Sequence, residues 1–146
     1  DWWSLDSVKR LRKVLESGEY RSLDRDALVK GGLTDGEAQM FVKFAKALRF
    51  AASDSAIARG TTYDLCYCNM SSDGFDKNRH FAFLRDYKEH TLLIASNFSG
   101  CEAKMKLEIP AHAFEWMGIP VTEDMHPGKI IDVTVPPMDG VIIRLV

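Results

Sequence analysis

The sequence predicts an α+β protein: a helical segment over residues 1–59, then an antiparallel Greek-key β-sandwich over residues 60–146. Three observations carry this. Apolar residues recur at helical spacing up to about Gly60 and alternate with polar ones beyond it. A capping-box pattern, Thr34-Asp35-Gly36-Glu37, stands just ahead of the longest apolar stripe. The remainder breaks into short strand-like runs joined by turn-rich segments, which favours an antiparallel sandwich over βαβ units.

Taken in order, Ser4 can cap a first helix whose apolar positions are Leu5, Val8, Leu11, Val14 and Leu15, with Gly18 as its stop. A short helical turn follows at Asp24 to Lys30 and ends at Gly31-Gly32. The capping box then launches the longest helix. Its broad apolar face carries Ala38, Phe41, Phe44, Ala45, Leu48, Ala51 and Ala52, with Lys43, Lys46 and Arg49 off that face. Strands are expected at Thr61–Asn69, Arg79–Tyr87, Thr91–Asn97, Ile130–Val135 and Val141–Val146. The clearest runs from Ala103 to Ile109. Its residues Ala103, Met105, Leu107 and Ile109 alternate with Lys104, Lys106 and Glu108, so one face is wet. Pro110 to Met117 suits a short helix between strands. Phe81 and Phe83 point to one face and Ala82 and Leu84 to the other, as in a central strand with Arg85 at its rim.

Bulk composition narrows the function classes. Of 146 residues, 46% are hydrophobic and 27% charged, as in a globular protein, and the formal charge of −2 comes without a basic stripe for nucleic acid. No apolar run approaches the roughly 20 residues of a membrane span. The opening Asp1-Trp2-Trp3 suggests a trimmed start, with any targeting segment upstream. Cys66, Cys68 and Cys101 form no disulfide framework and are expected as free thiols, which leans towards a reducing compartment and is also compatible with a secreted bacterial protein.

Several candidate chemistries fail on spacing. The chain has 21 acids, but most fall on wet faces or turns, and the adjacent Glu123-Asp124 shows no convergence towards the carboxyl pair that glycoside hydrolysis needs. Cys66, Cys68 and His80 lack the paired spacing of a zinc site, so no metal or other cofactor is expected, and His90, His112 and His126 are scattered. Asp73 to Asn78 lacks the ligand alternation of a calcium loop and reads as a polar hairpin loop. Asn69-Met70-Ser71 and Asn97-Phe98-Ser99 match glycosylation triplets, but Asn97 suits a strand-end role in which its side chain bonds nearby backbone. Trp2, Trp3 and Trp116 are the candidate carbohydrate contacts, because sugar rings present apolar faces that stack on exposed aromatic rings. Trp2 and Trp3 precede a helix and can staple its start. Trp116, beside Met117 and Gly118 in a loop, is the one expected to be exposed.

Specific strings add a resemblance. Ala47-Leu48-Arg49, Ser55-Ala56-Ile57 and Gly60-Thr61-Thr62-Tyr63-Asp64-Leu65 resemble the junction between the last barrel helix and the C-terminal domain of α-amylase-family glycoside hydrolases. Phe81-Ala82-Phe83-Leu84-Arg85 is similar to the next strand of that domain. Leu92 to Ser99 is similar to its Leu-Leu-Ile-x-x-Asn-Phe-Ser strand and turn, and Asp1 to Leu5 resembles a segment after the last barrel strand of some bacterial members.

The resemblance implies that residues 1–59 end a (β/α)₈ barrel and residues 60–146 form the C-terminal sandwich. The catalytic carboxylates of such enzymes belong to earlier barrel strands, so no catalytic residue is carried over. The implied role is a non-catalytic domain that stabilises the barrel of an enzyme acting on α-glucans, with contact to carbohydrate. The alternatives are a carbohydrate-binding or protein-interaction module acting alone. Phe41, Phe44, Leu48 and Arg85 would then be domain-interface residues, Arg85 through an ion pair. The implied partner is the barrel of the same polypeptide. Without it, the helical segment is expected either to form a homodimer or to fold back on the sandwich.

Overall fold

The computed structural model describes residues 4–146. The chain divides into two compact units, one running to Ser53 and the other from Asp54 to Val146. The architecture is α+β, with antiparallel pairing throughout the sheets of the described residues. None of the helices of the described residues is long and apolar enough to cross a membrane.

The first unit follows its local signals closely. Helix α1 spans Leu5–Ser17; the Ser4 hydroxyl accepts the Ser7 N–H at 3.1 Å, and Gly18 ends the helix with φ 78°. A 3₁₀ turn at Glu19–Ser22 leads to α2, Arg25–Lys30, capped by Asp24. Helix α3 spans Asp35–Ser53. Its capping box closes in both directions: Glu37 N–H donates to Thr34 Oγ1 at 3.3 Å, and Thr34 N–H donates to Glu37 Oε2 at 3.0 Å. Val14, Leu28, Leu33 and Ala38 are buried together, with Leu11 and Phe41 packed against them. The apolar stripes extend well past this core. Leu5, Val8 and Leu15 of α1 are exposed, and so are Phe44 at 61% and Leu48 at 68% of α3.

The second unit begins six residues before the expected boundary at residue 60. Helix α4, Ser55–Arg59, packs on the sheet and is capped by Asp54, whose Oδ1 accepts the Ala56 and Ile57 N–H groups at 2.8 and 3.1 Å. Asp54 also meets His90 Nε2 at 2.8 Å. Strands β1 (Thr61–Asp64), β2 (His80–Tyr87), β3 (His90–Asn97) and β6 (Asp139–Arg144) form a four-stranded sheet in the order β1-β2-β3-β6. Strands β4 (Ala103–Ile109) and β5 (Lys129–Val135) form a separate pair, and helix α5, Ala111–Met117, lies between them in sequence. Both sheets and α5 contribute to one core that includes Leu84, Leu93, Met105, Leu107, Phe114 and Val135. The alternation over β4 is as expected, with Met105 and Leu107 buried and Lys104 and Lys106 exposed.

Three expectations are corrected. The strand predicted over Thr61–Asn69 stops at Asp64, because the Asp64 carboxylate accepts the Cys66 N–H at 2.8 Å and turns the chain. Cys66 and Cys68 therefore lie in a turn rather than on one strand face. Trp116 is not in a loop but in the last turn of α5. The loop at Asp73 to Asn78 is not wholly polar, because Phe75 is a core residue.

The two faces of the four-stranded sheet differ. Ala82, Leu84, Leu93 and Ala95 face the core. Strand register sets Phe81, Phe83, Arg85, Leu92, Ile94 and Ile142 on the other face. Helix α4 packs over the end that carries Arg85 and the buried Leu92. At the other end Phe81 and Ile142 remain 48% and 46% exposed.

Candidate functional site

A recess of the second unit opens beside β1, an edge strand, and α5. Thr62, Tyr63, Asp64, Tyr67, His112 and Trp116 line it, around a volume of about 300 Å³. Local rules bring these residues together. Tyr63 sits at the inward position of β1 and is buried. The turn made by Asp64 carries Tyr67 back beside it. His112 and Trp116 are four residues apart on α5, so both fall on one side of the helix.

The rings form a cluster around Tyr63. Its ring centroid lies 6.2 Å from Tyr67, 5.7 Å from His112 and 6.0 Å from Trp116, each pair tilted. Its hydroxyl lies 2.5 Å from the Tyr67 hydroxyl and 3.0 Å from His112 Nδ1. Burial raises the Tyr63 pKa, and the neighbouring Tyr67 hydroxyl raises it further, so Tyr63 stays a neutral phenol. Trp116 and Tyr67 are 55% and 52% exposed, which leaves apolar ring surface facing solvent. Asp64 is the carboxylate in the lining. Glycoside cleavage needs two such groups flanking the bond.

Trp116 is exposed, as the sequence suggests, and belongs to this cluster. Trp2 and Trp3 lie outside the described residues. Tyr63, Tyr67 and His112 were not singled out by sequence reasoning. The available signal was the pair of four-residue spacings, Tyr63 to Tyr67 and His112 to Trp116.

Among the described residues, Arg85 is held by backbone carbonyls and a hydroxyl. Its Nε donates to the Ala56 carbonyl at 2.9 Å and its Nη2 to the Ile57 carbonyl at 2.5 Å, while Nη1 donates to Thr62 Oγ1. The guanidinium thus ties α4 to the sheet within the second unit. Phe41 packs against the core of the first unit, and Phe44 and Leu48 lie exposed on α3.

Asn97 has the structural role expected of it, over a longer reach. Its Nδ2 donates to the carbonyls of Cys101, Val135 and Pro136 at 2.7, 3.2 and 3.1 Å, and its Oδ1 accepts the Ser99 N–H at 2.9 Å. Asn69 does the same at the other end of β4, which the sequence did not reveal. Its Nδ2 donates to Leu65 O at 2.9 Å and Glu108 O at 3.0 Å, and its Oδ1 accepts Glu108 N–H at 2.8 Å. Both asparagines are buried, so neither glycosylation triplet presents its side chain.

Cys66, Cys68 and Cys101 are free thiols, the first two half-buried and the last exposed. Cys66 Sγ accepts the Ala82 N–H at 3.3 Å. His80 is held locally, its Nδ1 accepting the Asp76 N–H at 2.9 Å. Among the described residues no three His, Cys, Asp or Glu side chains gather as a metal site.

A scan against protein-family models finds no match for this chain, and a search of curated proteins by sequence finds none either.

Proposed function

We propose that this chain is the C-terminal portion of an α-amylase-family glycoside hydrolase acting on α-glucans. Residues 1–59 would close the catalytic (β/α)₈ barrel. The β-rich remainder would be its Greek-key sandwich, a non-catalytic domain that stabilises the barrel. The observation that supports this best is the outer face of the four-stranded sheet. Its open end exposes Phe81 and Ile142 beside half-buried Phe83 and Ile94, and the Phe81 and Phe83 rings stand 5.4 Å apart. An apolar sheet face of this kind calls for a second layer. The exposed Phe44 and Leu48 of α3 make the same demand in the segment read as barrel helix. The sequence strings that resemble the family run through β1, β2 and β3.

The reading frame that encodes the chain tests this reading. An upstream barrel with catalytic carboxylates is expected, and a frame without one refutes the proposal. In the full-length enzyme, Phe81→Asp with Phe83→Asp should lower the thermal midpoint without changing the chemistry of cleavage. The chain alone should not hydrolyse a maltooligosaccharide, and turnover that survives repurification would contradict a non-catalytic role.

In the isolated chain the exposed stripe of α3 would pair with a second copy. Sedimentation should show a dimer that Phe44→Asp with Leu48→Asp dissociates. A wild-type monomer would refute that pairing.

A further inference from the structure

We propose that the recess beside β1 and α5 binds one pyranose ring of a neutral oligosaccharide. Its identity as an α-glucan rests on the reading above, whereas pyranose binding rests on the recess alone.

A pyranose has an apolar face of C–H groups and a rim of hydroxyls. It needs a flat apolar platform, with rim groups that both give and accept hydrogen bonds. Trp116 and Tyr67 each offer an apolar ring face on which such a ring can stack, with about half their surface free. Tyr63 is buried, with its ring centroid 6.2 Å from that of Tyr67 and 6.0 Å from that of Trp116. A volume of about 300 Å³ sits at the lower end of small-molecule sites, enough for a single ring.

The polar chain supplies the rim. Tyr67, Tyr63 and His112 are joined by two hydrogen bonds, and each phenol has one proton. With a neutral imidazole the chain can run in two directions. In one, Tyr67 donates to Tyr63, which donates to His112 Nδ1; the outer ends are then an acceptor on Tyr67 and an N–H donor at Nε2. In the other, His112 Nδ1–H donates to Tyr63, which donates to Tyr67; the outer ends are then an O–H donor and an Nε2 acceptor. Either way the recess offers one donor and one acceptor, and can exchange them. A sugar hydroxyl is itself both donor and acceptor, so it satisfies either state.

The Asp64 carboxylate, one oxygen of which takes the Cys66 N–H, lines the recess with further acceptor capacity that suits a ligand rich in O–H or N–H groups. This argues against a proline-rich peptide, the other class that aromatic grooves take, because its carbonyls bring few donors.

The test is a titration of the isotope-labelled chain with maltotetraose, cellotetraose and a proline-rich peptide, following the indole N–H of Trp116 and the amides of the recess by NMR. Maltotetraose should shift these signals saturably. Trp116→Ala should weaken binding by about tenfold or more, equivalent to about 1.4 kcal/mol. Tyr67→Phe keeps the ring and removes only the hydroxyl, so it tests the rim even where the larger deletion disturbs α5; a clear loss of affinity with an unchanged thermal midpoint is expected. Binding that survives both substitutions undiminished, or binding of the peptide alone, overturns the proposal. Saturable binding of cellotetraose but not maltotetraose supports the pyranose site and refutes the α-glucan identity. If neither sugar binds, the site is refuted while the family reading stands or falls on its reading frame.

Discussion

The two units are stabilised in different ways. The first has nearly every local signal in place: a serine cap, a glycine stop and a reciprocal capping box. Yet among its described residues only four side chains make up the buried cluster. The second unit buries seventeen in its main cluster, drawn from both sheets and α5. Its β2–β3 turn nevertheless uses Lys88 and Glu89 at positive φ, where asparagine or glycine is usual. Good capping organises helices, but a fold is held mainly by apolar area removed from water. The first unit is therefore expected to open at lower free energy, and hydrogen exchange should show its amides exchanging before those of β2, β3 and β4.

The largest test sets the same deletion in both units. Leu107 on β4 is fully buried, whereas Leu48 on α3 is 68% exposed. Leu107→Ala should destabilise the second unit by about 2–5 kcal/mol. Leu48→Ala, measured at concentrations where the chain is monomeric, should stay within about 0.5 kcal/mol. Urea unfolding followed separately in each unit measures both. Comparable losses would mean that the two units do not differ in the way described.

Asn97→Ala should come next, at about 2–4 kcal/mol. It removes four hydrogen bonds at once and leaves the Val135 carbonyl without this donor. Asn97→Asp tests the same point with little change in shape, because a carboxylate cannot donate to three carbonyls. A loss as small as that of an exposed polar residue would show that water replaces the side chain.

How much of this was legible follows from the same contrast. The helices of the first unit could be read from the sequence because caps and stops act over three or four residues. The face of β4 could be read because alternation is local too. What escaped was the long-range pairing. Asn69 looked like a chance glycosylation triplet, and nothing near it in sequence announces Glu108 as its partner. Arg85 was read as an interface residue from its place at a strand rim, and nothing near it in sequence announces the carbonyls of a helix about 28 residues earlier that it binds. Trp116 was picked for its chemistry, while Tyr63, Tyr67 and His112 became its neighbours only once β1 and α5 were brought together.

Glu37 is where the first unit departs from purely local design. Besides closing the capping box, its carboxylate takes a forked pair of bonds from Arg10, Nε to Oε2 at 2.9 Å and Nη2 to Oε1 at 2.6 Å. The Arg10 guanidinium, with help from Ser7 and the Thr34 N–H, holds the Glu37 pKa far below its ordinary 4.5 despite burial, which opposes the shift. A depressed carboxylate pKa stabilises the fold above the ordinary value, and the contribution is lost as pH falls towards the folded value. The first unit should therefore weaken progressively below about pH 4.5. Glu37→Gln should cost it about 2 kcal/mol at neutral pH and flatten that acid dependence. An unchanged acid profile would assign the dependence to other groups.

The smallest effect is expected at the β2–β3 hairpin, where the second unit contradicts its own local signal. Tyr87 pairs with His90, so Lys88 and Glu89 alone form the turn, with φ of 50° and 66°. A two-residue turn with both φ values positive normally takes asparagine or glycine, because a side chain crowds the backbone there. The flanking strands hold this pair in place regardless. Glu89→Gly relieves the crowding but adds freedom to the unfolded chain, so the net gain should be only about 0.5 kcal/mol. Lys88 is best left alone, since its ammonium sits 5.3 Å from the Tyr87 ring centroid. The gain should appear as a rise of about 2–4 °C in the thermal midpoint of the second unit. Glu89→Ala is the control: it removes the same charge and keeps Cβ, so it should bring no such rise. If alanine stabilises as much as glycine, the benefit comes from losing the charge, and the turn is not strained. If glycine instead gives several kcal/mol, the local backbone matters as much to this unit as capping does to the other, and packing is not the main source of its stability.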